Sequence, residues 1–348
     1  MENTMTPGVA PAIPASEEDR IYRKVGWRLV PLLVVCYVVA YLDRVNVGFA
    51  KLQMLQELQF SDTVYGLGAG IFFIGYFIFE IPSNIILHKV GARVWIARIM
   101  ITWGIISACM MFVSSEHMFY VLRFLLGAAE AGFFPGIILY LTYWYPAARR
   151  GRITTFFMTA VPMSGLIGGP ISGWIMSTFH GQHGLSGWQW LFLLEGIPSV
   201  IIGVVVLLYL DDRIQKAKWL TASEKAVLIR NIAAEDQTKE DPPLRAALTR
   251  PRVWAMALIY FSFVMGLYGV GFWMPTLIKN TGVQSPLVIG LLTAVPNLFA
   301  VIGMVLIARS SDRSRERRCS WRCRPSAAPS ACWPRRSGAA TPPWPCWR

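Results

Sequence analysis

The chain contains eight apolar stretches, each long enough to cross the hydrocarbon core of a membrane as an α-helix. They constrain the fold most strongly, because a backbone inside lipid must satisfy its own hydrogen bonds, and a helix does so. The stretches lie near residues 29–49, 64–87, 94–113, 119–145, 153–179, 188–210, 253–276 and 286–308. The sequence therefore predicts an all-α polytopic membrane protein.

The composition agrees with a membrane protein and argues against several soluble classes. Hydrophobic residues make up 54% of the chain and charged residues only 15%, whereas soluble domains carry about 25% charged residues. The net charge of +13 would indicate nucleic-acid binding if it lay on one soluble face, but the basic residues occur in short segments between apolar stretches. We expect a lipid bilayer as the surroundings and no nucleic-acid partner. The Cys and His spacing predicts no metal site and no cofactor.

Lys and Arg recur in every second segment between the apolar stretches. The basic segments precede the first stretch and follow the second, fourth and sixth; they include Arg20, Arg23, Lys24, Arg28, Lys89, Arg93, Arg149, Arg150, Arg152, Lys216 and Lys218. The alternate segments hold few basic residues. Because cytoplasmic loops carry the excess of Lys and Arg, we predict a multi-pass protein of the inner (plasma) membrane with a cytoplasmic N-terminus.

A long charged segment divides the apolar stretches into six and two. Within it, Thr221 and Glu224 have capping-box spacing ahead of an amphipathic stretch, which predicts a cytoplasmic surface helix. Six helices, a linker and further helices are the plan of transporters that have two six-helix halves. The predicted regions are an N-terminal cytoplasmic segment (1–26), a six-helix N-terminal half (27–210), a linker (211–252), a partial C-terminal half (253–312) and an aberrant tail (313–348).

The tail has a composition that no membrane helix has. Residues 313–348 include nine Arg, six Pro, four Trp and four Cys, and no Leu, Ile, Val, Phe, Met or Tyr. Such an amino-acid composition is typical of a GC-rich gene translated in a shifted reading frame. We predict that the native chain continues for about four more helices and that the tail is a frameshift product. The alternative is a natural basic, disordered tail. Sequencing the DNA decides between them, since one alternative frame must encode apolar helices.

Charged residues inside the first and fourth stretches indicate function. Each charge near the bilayer centre costs roughly 2.5 to 3.5 kcal/mol, and such residues usually mark a substrate or ion path. Asp43 and Arg44 lie in the first stretch; Arg123 and Glu130 lie seven residues apart in the fourth, on one face of a helix. We predict that the four form one cluster in which arginines bind an anion and a carboxylate exchanges a proton. The alternative is an ion-pair network that only clamps helices together.

Three motifs resemble the anion:cation symporter family of the major facilitator superfamily, which includes permeases for phthalate, tartrate, hydroxyphenylacetate and sugar acids. The motifs are Tyr41-Leu-Asp43-Arg44-Val-Asn46, Glu80-Ile-Pro82-Ser-Asn84, and the segment from Arg123 to Gly136. The resemblance covers roughly residues 20 to 312 and implies a major facilitator fold. The chain then holds a complete N-terminal six-helix half plus two helices of the C-terminal half, truncated or frameshifted.

The resemblance also implies roles for single residues. Arg44 is expected to grip the substrate carboxylate, Asp43 and Glu130 to couple protons, and Arg123 to interact with them, which places it at the substrate site. Tyr41 and Tyr76 are expected to line the substrate cavity, although an aromatic residue in a membrane helix is more often a packing residue.

These observations predict a secondary active transporter, and no enzyme, because the sequence has no nucleophile-base constellation and no phosphate loop. The predicted activity is proton-coupled import of a small organic anion, such as tartrate, phthalate or a hydroxyaryl acid, by alternating access. We expect a monomer whose partners are the organic anion, protons and lipid. Two alternatives stay open: a truncated, inactive product of a transporter gene, and a membrane sensor without transport.

Overall fold

Helices make up nearly all of the described chain. The computed structural model describes residues 15–236 and 249–314; the predicted tail beyond Ser314 lies outside them. These ranges contain no strand. Their α-helices are α1 (Ala15–Leu58), α2 (Asp62–Val90), α3 (Ala92–Cys109), α4 (Glu116–Glu130), α5 (Phe133–Thr142), α6 (Ala147–Met158), α7 (Ala160–Thr178), α8 (Gly187–Tyr209), α9 (Ala222–Asp236), α10 (Pro251–Asn280) and α11 (Pro286–Ser314).

Seven helical segments in the described ranges are long and apolar enough to cross a membrane. Six are α1, α2, α3, α8, α10 and most of α11, and the seventh is the segment Glu116–Thr142, which comprises α4 and α5. The eighth predicted stretch, 153–179, differs: it is divided between α6 and α7, which meet at Thr159. Glycines and Pro170 also lower the apolarity of α7.

The fourth apolar stretch is broken where the sequence predicts one continuous helix. Gly132 lies between α4 and α5 with φ 83°, in the left-handed region that favours glycine. A side chain there would also meet Ser83 of α2, because its Cβ would lie 2.7 Å from the Ser83 Cβ. The break leaves Arg123 and Glu130 together on α4, both buried.

The linker contains the predicted surface helix. Helix α9 begins with the predicted cap: the Glu224 N–H donates to Thr221 Oγ1 over 3.3 Å, and the Thr221 N–H donates to Glu224 Oε2 over 2.9 Å. Polar contacts then tie α9 to α1, since Lys24 Nζ lies 2.8 Å from Glu224 Oε2 and Asn231 Nδ2 donates to Glu18 Oε1 over 3.1 Å. The N-terminal part of α1 is therefore held by the linker.

We expect Lys24→Ala to loosen α9, seen as faster amide hydrogen exchange along that helix. Burial raises the pKa of Glu224, but the Lys24 ammonium and the Thr221 N–H lower it by more, so the net pKa is below its usual value. The stabilisation of α9 by this ion pair is thus present at neutral pH. It is lost as the pH falls below about 4.3, the pKa of an unperturbed glutamate, and through the lowered pKa of Glu224. An exposed pair is worth roughly 0.2–1 kcal/mol. Arg23→Ala, one residue away and exposed, is the matched control; equal exchange in both variants would contradict the prediction.

Helices α10 and α11 contact α1, α2 and α7 near the end of the bundle at which the connections 59–61, 179–186 and 281–285 lie; we term this the closed end. Residues up to Ile302 belong to one compact unit. Contacts at the closed end include Tyr65 Oη to Phe272 O (3.0 Å), Lys279 Nζ to Leu52 O (3.0 Å), and Lys51 Nζ over the Trp273 ring (3.4 Å). Nearer the start of α10, side chains such as Met256 and Ile259 are 72% and 70% exposed.

Candidate functional site

Arg44 lies near the middle of the bundle with only 6% of its surface exposed. Its Nη2 donates to Glu130 Oε1 on α4, and its Nη1 donates to the Tyr268 hydroxyl on α10. One side chain of α1 thus contacts both α4 and α10. Because a buried charge is expensive unless it is paired, this ion pair is what permits a guanidinium group at such a depth.

Aromatic rings surround the Arg44 guanidinium. The distances from its Cζ to the ring centroids are 5.9 Å for Tyr41, 5.7 Å for Phe72, 5.3 Å for Tyr76 and 5.7 Å for Tyr268. Ring faces attract cations within about 6 Å, so these four residues form an aromatic box around the charge. The structure brings together Tyr41, Tyr76 and Arg44, the residues that the family resemblance assigns to the substrate cavity. Tyr268 adds a group that the sequence pattern does not predict.

Arg123 is fully buried beside this box. Its Nε donates to the Gly68 carbonyl oxygen over 3.2 Å, and its Cζ lies 4.8 Å from the Phe72 ring centroid. The two terminal nitrogens, Nη1 and Nη2, have no hydrogen-bond partner. Arg44 and Arg123 therefore flank the same ring, and Arg123 keeps unused donor capacity.

Asp43 does not join the predicted four-charge cluster. Its carboxylate accepts hydrogen bonds from Trp103 Nε1 (2.9 Å), Ser107 Oγ (3.0 Å) and Ser199 Oγ. No arginine is ion-paired with it among the described residues, whereas Arg44 pairs with Glu130. The prediction of one cluster is wrong on this point: Asp43 faces α3 and α8, and Arg44 faces α4 and α10.

Helix geometry explains the separation. Consecutive residues in an α-helix point about 100° apart, so Asp43 and Arg44 cannot share a face, whereas Tyr41, three residues before Arg44, can. The donors around Asp43 were not predicted. The sequence indicated only one thing about them: Trp103 and Ser107 are four residues apart on α3, which places both side chains on one face of that helix. Ser199 carried none.

Among the described residues, no group of three or more His, Cys, Asp or Glu side chains is placed to hold a metal ion. What the arrangement offers is a buried cation with one exchangeable carboxylate partner, and a separate buried carboxylate held by neutral donors.

Comparison with known proteins identifies the family. The sequence model of the Major Facilitator Superfamily matches residues 33–344. The chain belongs to the major facilitator superfamily. Proteins of this family that resemble the chain are transporters and not enzymes, and the protein is accordingly an all-helical, multi-pass membrane transporter.

Two relatives are similar over most of this major facilitator protein. A Pseudomonas putida protein named "Putative metabolite transport protein NicT" is 58% identical over 300 residues, which are 86% of this chain and 69% of the relative. An Agrobacterium vitis protein named "Putative tartrate transporter" is 55% identical over 302 residues, 86% of this chain and 67% of the relative.

A solved structure supports the fold. The inward-facing, unoccupied structure of a bacterial homolog of the human lysosomal transporter Spinster matches with a TM-score of 0.62 at 17% identity, covering 87% of this chain. The chain spans 64% of the length of that structure. At this identity the likeness concerns the fold alone.

Proposed function

We propose that this major facilitator protein is a proton-coupled symporter that imports a small organic anion by alternating access. The observation that carries the proposal is the Arg44 side chain, a buried guanidinium that lies inside an aromatic box and forms an ion pair with Glu130. A guanidinium group matches the geometry of a carboxylate ligand, and the box excludes water around it. The protein acts as a monomer in the inner membrane with its N-terminus in the cytoplasm.

The ion pair supplies the coupling. In this structure the Glu130 carboxylate is bound to the Arg44 guanidinium, so a substrate carboxylate has to displace Glu130 in order to bind there. Protonating Glu130 removes its negative charge and frees Arg44 for the substrate; releasing the proton restores the ion pair and expels the substrate. The proton comes from water on one side of the membrane and returns to water on the other. Asp43, which neighbours Arg44 on α1, contributes a second titratable group.

The substrate class follows from the residues of the box. Arg44 selects an anion, Tyr41, Tyr76 and Tyr268 offer ring faces and hydroxyl groups, and Arg123 supplies unused donors nearby. A short carboxylate with a second polar or anionic group suits such a pocket. The name of the Agrobacterium vitis relative supports testing tartrate first, with phthalate and a hydroxyaryl acid beside it.

The contacts between α10 and α1 support alternating access. Tyr268 joins Arg44 across them, and at the closed end the Tyr65 hydroxyl of α2 donates to the Phe272 carbonyl oxygen of α10. A substrate that replaces Tyr268 or Glu130 on Arg44 therefore alters the link between the two parts. The alternatives of an inactive product and of a sensor are not favoured, because the similar proteins are named as transporters.

Uptake by the purified full chain in liposomes tests the proposal. We expect labelled tartrate, phthalate or a hydroxyaryl acid to accumulate when the outside is acidic relative to the lumen, with proton entry reported by an internal pH dye. Accumulation of none of these acids above that in empty liposomes contradicts the proposal. Accumulation without proton entry contradicts its coupling.

Asp43→Asn is predicted to separate binding from coupling. The amide keeps two polar atoms for Trp103 and the serines but cannot exchange a proton, so we expect exchange of labelled for unlabelled substrate to persist and accumulation driven by a pH gradient to be lost. Ser107→Ala, which removes one donor to the same carboxylate, is the control and should still accumulate substrate. Full gradient-driven accumulation by Asp43→Asn would remove Asp43 from the coupling mechanism.

A further inference from the structure

A second buried carboxyl group lies on α8, outside the Arg44 site. Glu195 is 5% exposed, and its Oε1 accepts a hydrogen bond from Ser172 Oγ of α7 over 2.6 Å. Its other oxygen, Oε2, is buried and has no well-formed hydrogen bond. An ionised carboxylate with a bare buried oxygen is strongly disfavoured, whereas a carboxylic acid carries a proton on one oxygen and needs less solvation.

An unpartnered amide faces this carboxyl group from α1. Asn46 is 1% exposed, and neither its amide nitrogen nor its amide oxygen has a well-formed hydrogen bond. The side chain nevertheless lies close enough to Glu195 to interact with it. An amide oxygen accepts from a protonated carboxyl group and an amide nitrogen donates to an ionised one, so Asn46 can serve both states of Glu195.

Helix spacing joins Glu195 to Asp43. Asp43 and Asn46 lie three residues apart on α1, and Glu195 and Ser199 lie four apart on α8, so each pair occupies one helix face. Ser199 donates to Asp43, while Asn46 approaches Glu195. The two carboxyl groups thus lie in one polar seam between the two helices.

Among the described residues, no positively charged side chain forms an ion pair with Glu195. Asp43 of α1 interacts with it electrostatically as a like charge. Helix α7 has no titratable side chain, and α3 contributes Trp103 and Ser107 to Asp43, with its own Arg98 stacked on Trp95. In the described part of the chain, neither carboxylate of the seam is in an ion pair, since Arg44 is engaged by Glu130.

The hydrogen bonds are shared unequally between the two carboxyl groups. Asp43 receives three donors, and Glu195 receives one well-formed bond. Hydrogen bonds to the charged form favour it, so the seam is built to hold one negative charge on Asp43 and one proton on Glu195. We propose that Glu195 is a proton-carrying residue of the transport cycle, which with Asp43 forms a proton site separate from the Arg44–Glu130 substrate site.

This inference rests on the proposed proton coupling and deepens it. In each cycle the Glu195 carboxylate takes a proton from water on one side, forming an O–H bond, and gives it to water on the other side, re-forming the carboxylate. Glu195 therefore adds one proton to each cycle without touching the substrate.

Infrared difference spectroscopy on the full chain in liposomes tests the proton site without any substrate. A protonated carboxyl group has a C=O stretch that disappears on ionisation, so we expect a band that titrates with pH in the native chain and is lost in Glu195→Gln. Glu116→Gln, at an exposed carboxylate at the start of α4, is the matched control and should keep the band. A band that is identical in Glu195→Gln and in the native chain overturns the proposal.

Transport of labelled tartrate provides the second measurement. We expect Glu195→Gln to exchange tartrate normally but to accumulate it with one proton fewer per molecule, measured with an internal pH dye. An unchanged proton-to-tartrate ratio overturns the proposal. If the native chain transports no tartrate, the proposed tartrate transport fails, while the infrared titration still decides whether Glu195 holds the proton.

Two conservative variants decide the outcome if Glu195→Gln does not fold. Glu195→Asp keeps a carboxyl group, so the band should remain with a different pH midpoint. Ser172→Ala removes the one well-formed hydrogen bond to Glu195, so the midpoint of the same band should move although the carboxyl group is untouched. Midpoints equal to that of the native chain in both variants overturn the assignment.

Discussion

Uptake of a labelled organic anion is expected to fall to the level of empty liposomes when Arg44 is replaced by alanine. The guanidinium is the group that meets the substrate carboxylate, and its removal also leaves Glu130 buried without its partner. Losing the guanidinium of the buried charge pair between Arg44 and the substrate carboxylate costs about 2–5 kcal/mol. The affinity of the protein for the organic anion is then lower by about 30- to 4,000-fold. Both gradient-driven uptake and substrate exchange should fail.

Two further variants make that result specific. Arg28 lies on the same helix and stacks on Tyr209, its Cζ 3.6 Å from the ring centroid, so Arg28→Ala tests the loss of an α1 arginine away from the box and should retain uptake. Arg44→Lys keeps the charge but loses the planar fork, so we expect weakened uptake. Near-normal uptake by Arg44→Ala would remove Arg44 from substrate binding and leave it a structural role.

The membrane helices were predictable because apolar length alone defines them. The stretch near 64–87 lies inside α2, and the stretch near 188–210 matches α8 to within one residue at each end. The capping-box spacing at Thr221 and Glu224 located the start of α9. The division of 153–179 between α6 and α7 was not predicted. A glycine-rich, apolar sequence is compatible with one helix or two, and tertiary packing decides between them.

The site was predictable only in part. Charges inside apolar stretches single out Arg44, Glu130 and Asp43 in the sequence, because their burial is costly wherever they face. Which charges meet depends on helix rotation and crossing, which residue spacing within one helix does not report. Asp43 is therefore paired with neutral donors on α3 and α8, and Arg44 with Glu130.

Tyr268 shows where residue patterns carry no information. It is one aromatic residue among many in α10, and its place in the box depends on how α10 lies against α1 and α2. The same holds for Glu195. A single acidic residue in an apolar helix indicates that its burial costs free energy, but only the structure reveals that its Oε2 has no well-formed hydrogen bond and that Asn46 lies beside it.

Gly169→Val is predicted to slow transport by about 5- to 150-fold, because α7 and α11 can no longer approach each other at the closed end. The sequence pattern Gly165 to Gly173 predicts close helix packing, and Gly169 indeed faces Gly290 of α11: a Cβ on Gly169 would lie 2.6 Å from the Gly290 carbonyl oxygen. The Gly290 carbonyl oxygen belongs to the backbone and cannot rotate away from the valine side chain, so α7 and α11 must separate. Overpacking of this kind costs about 1–3 kcal/mol, which lowers the population of the closed arrangement by about 5- to 150-fold.

Cysteine labelling at the contact measures this separation directly. Thr293, buried on α11 beside Gly169, is replaced by cysteine in a background whose native cysteines are removed. The thiol should be protected in the parent and should react with a membrane-impermeant reagent in Gly169→Val. Gly66→Val is the control, because a Cβ on Gly66 meets nothing within 4 Å, so labelling and transport should match the parent. A protected thiol in Gly169→Val would mean that the substitution does not separate α7 from α11. A reactive thiol with normal uptake would mean that the cycle does not depend on the close approach of these two helices, which alternating access requires when this end closes.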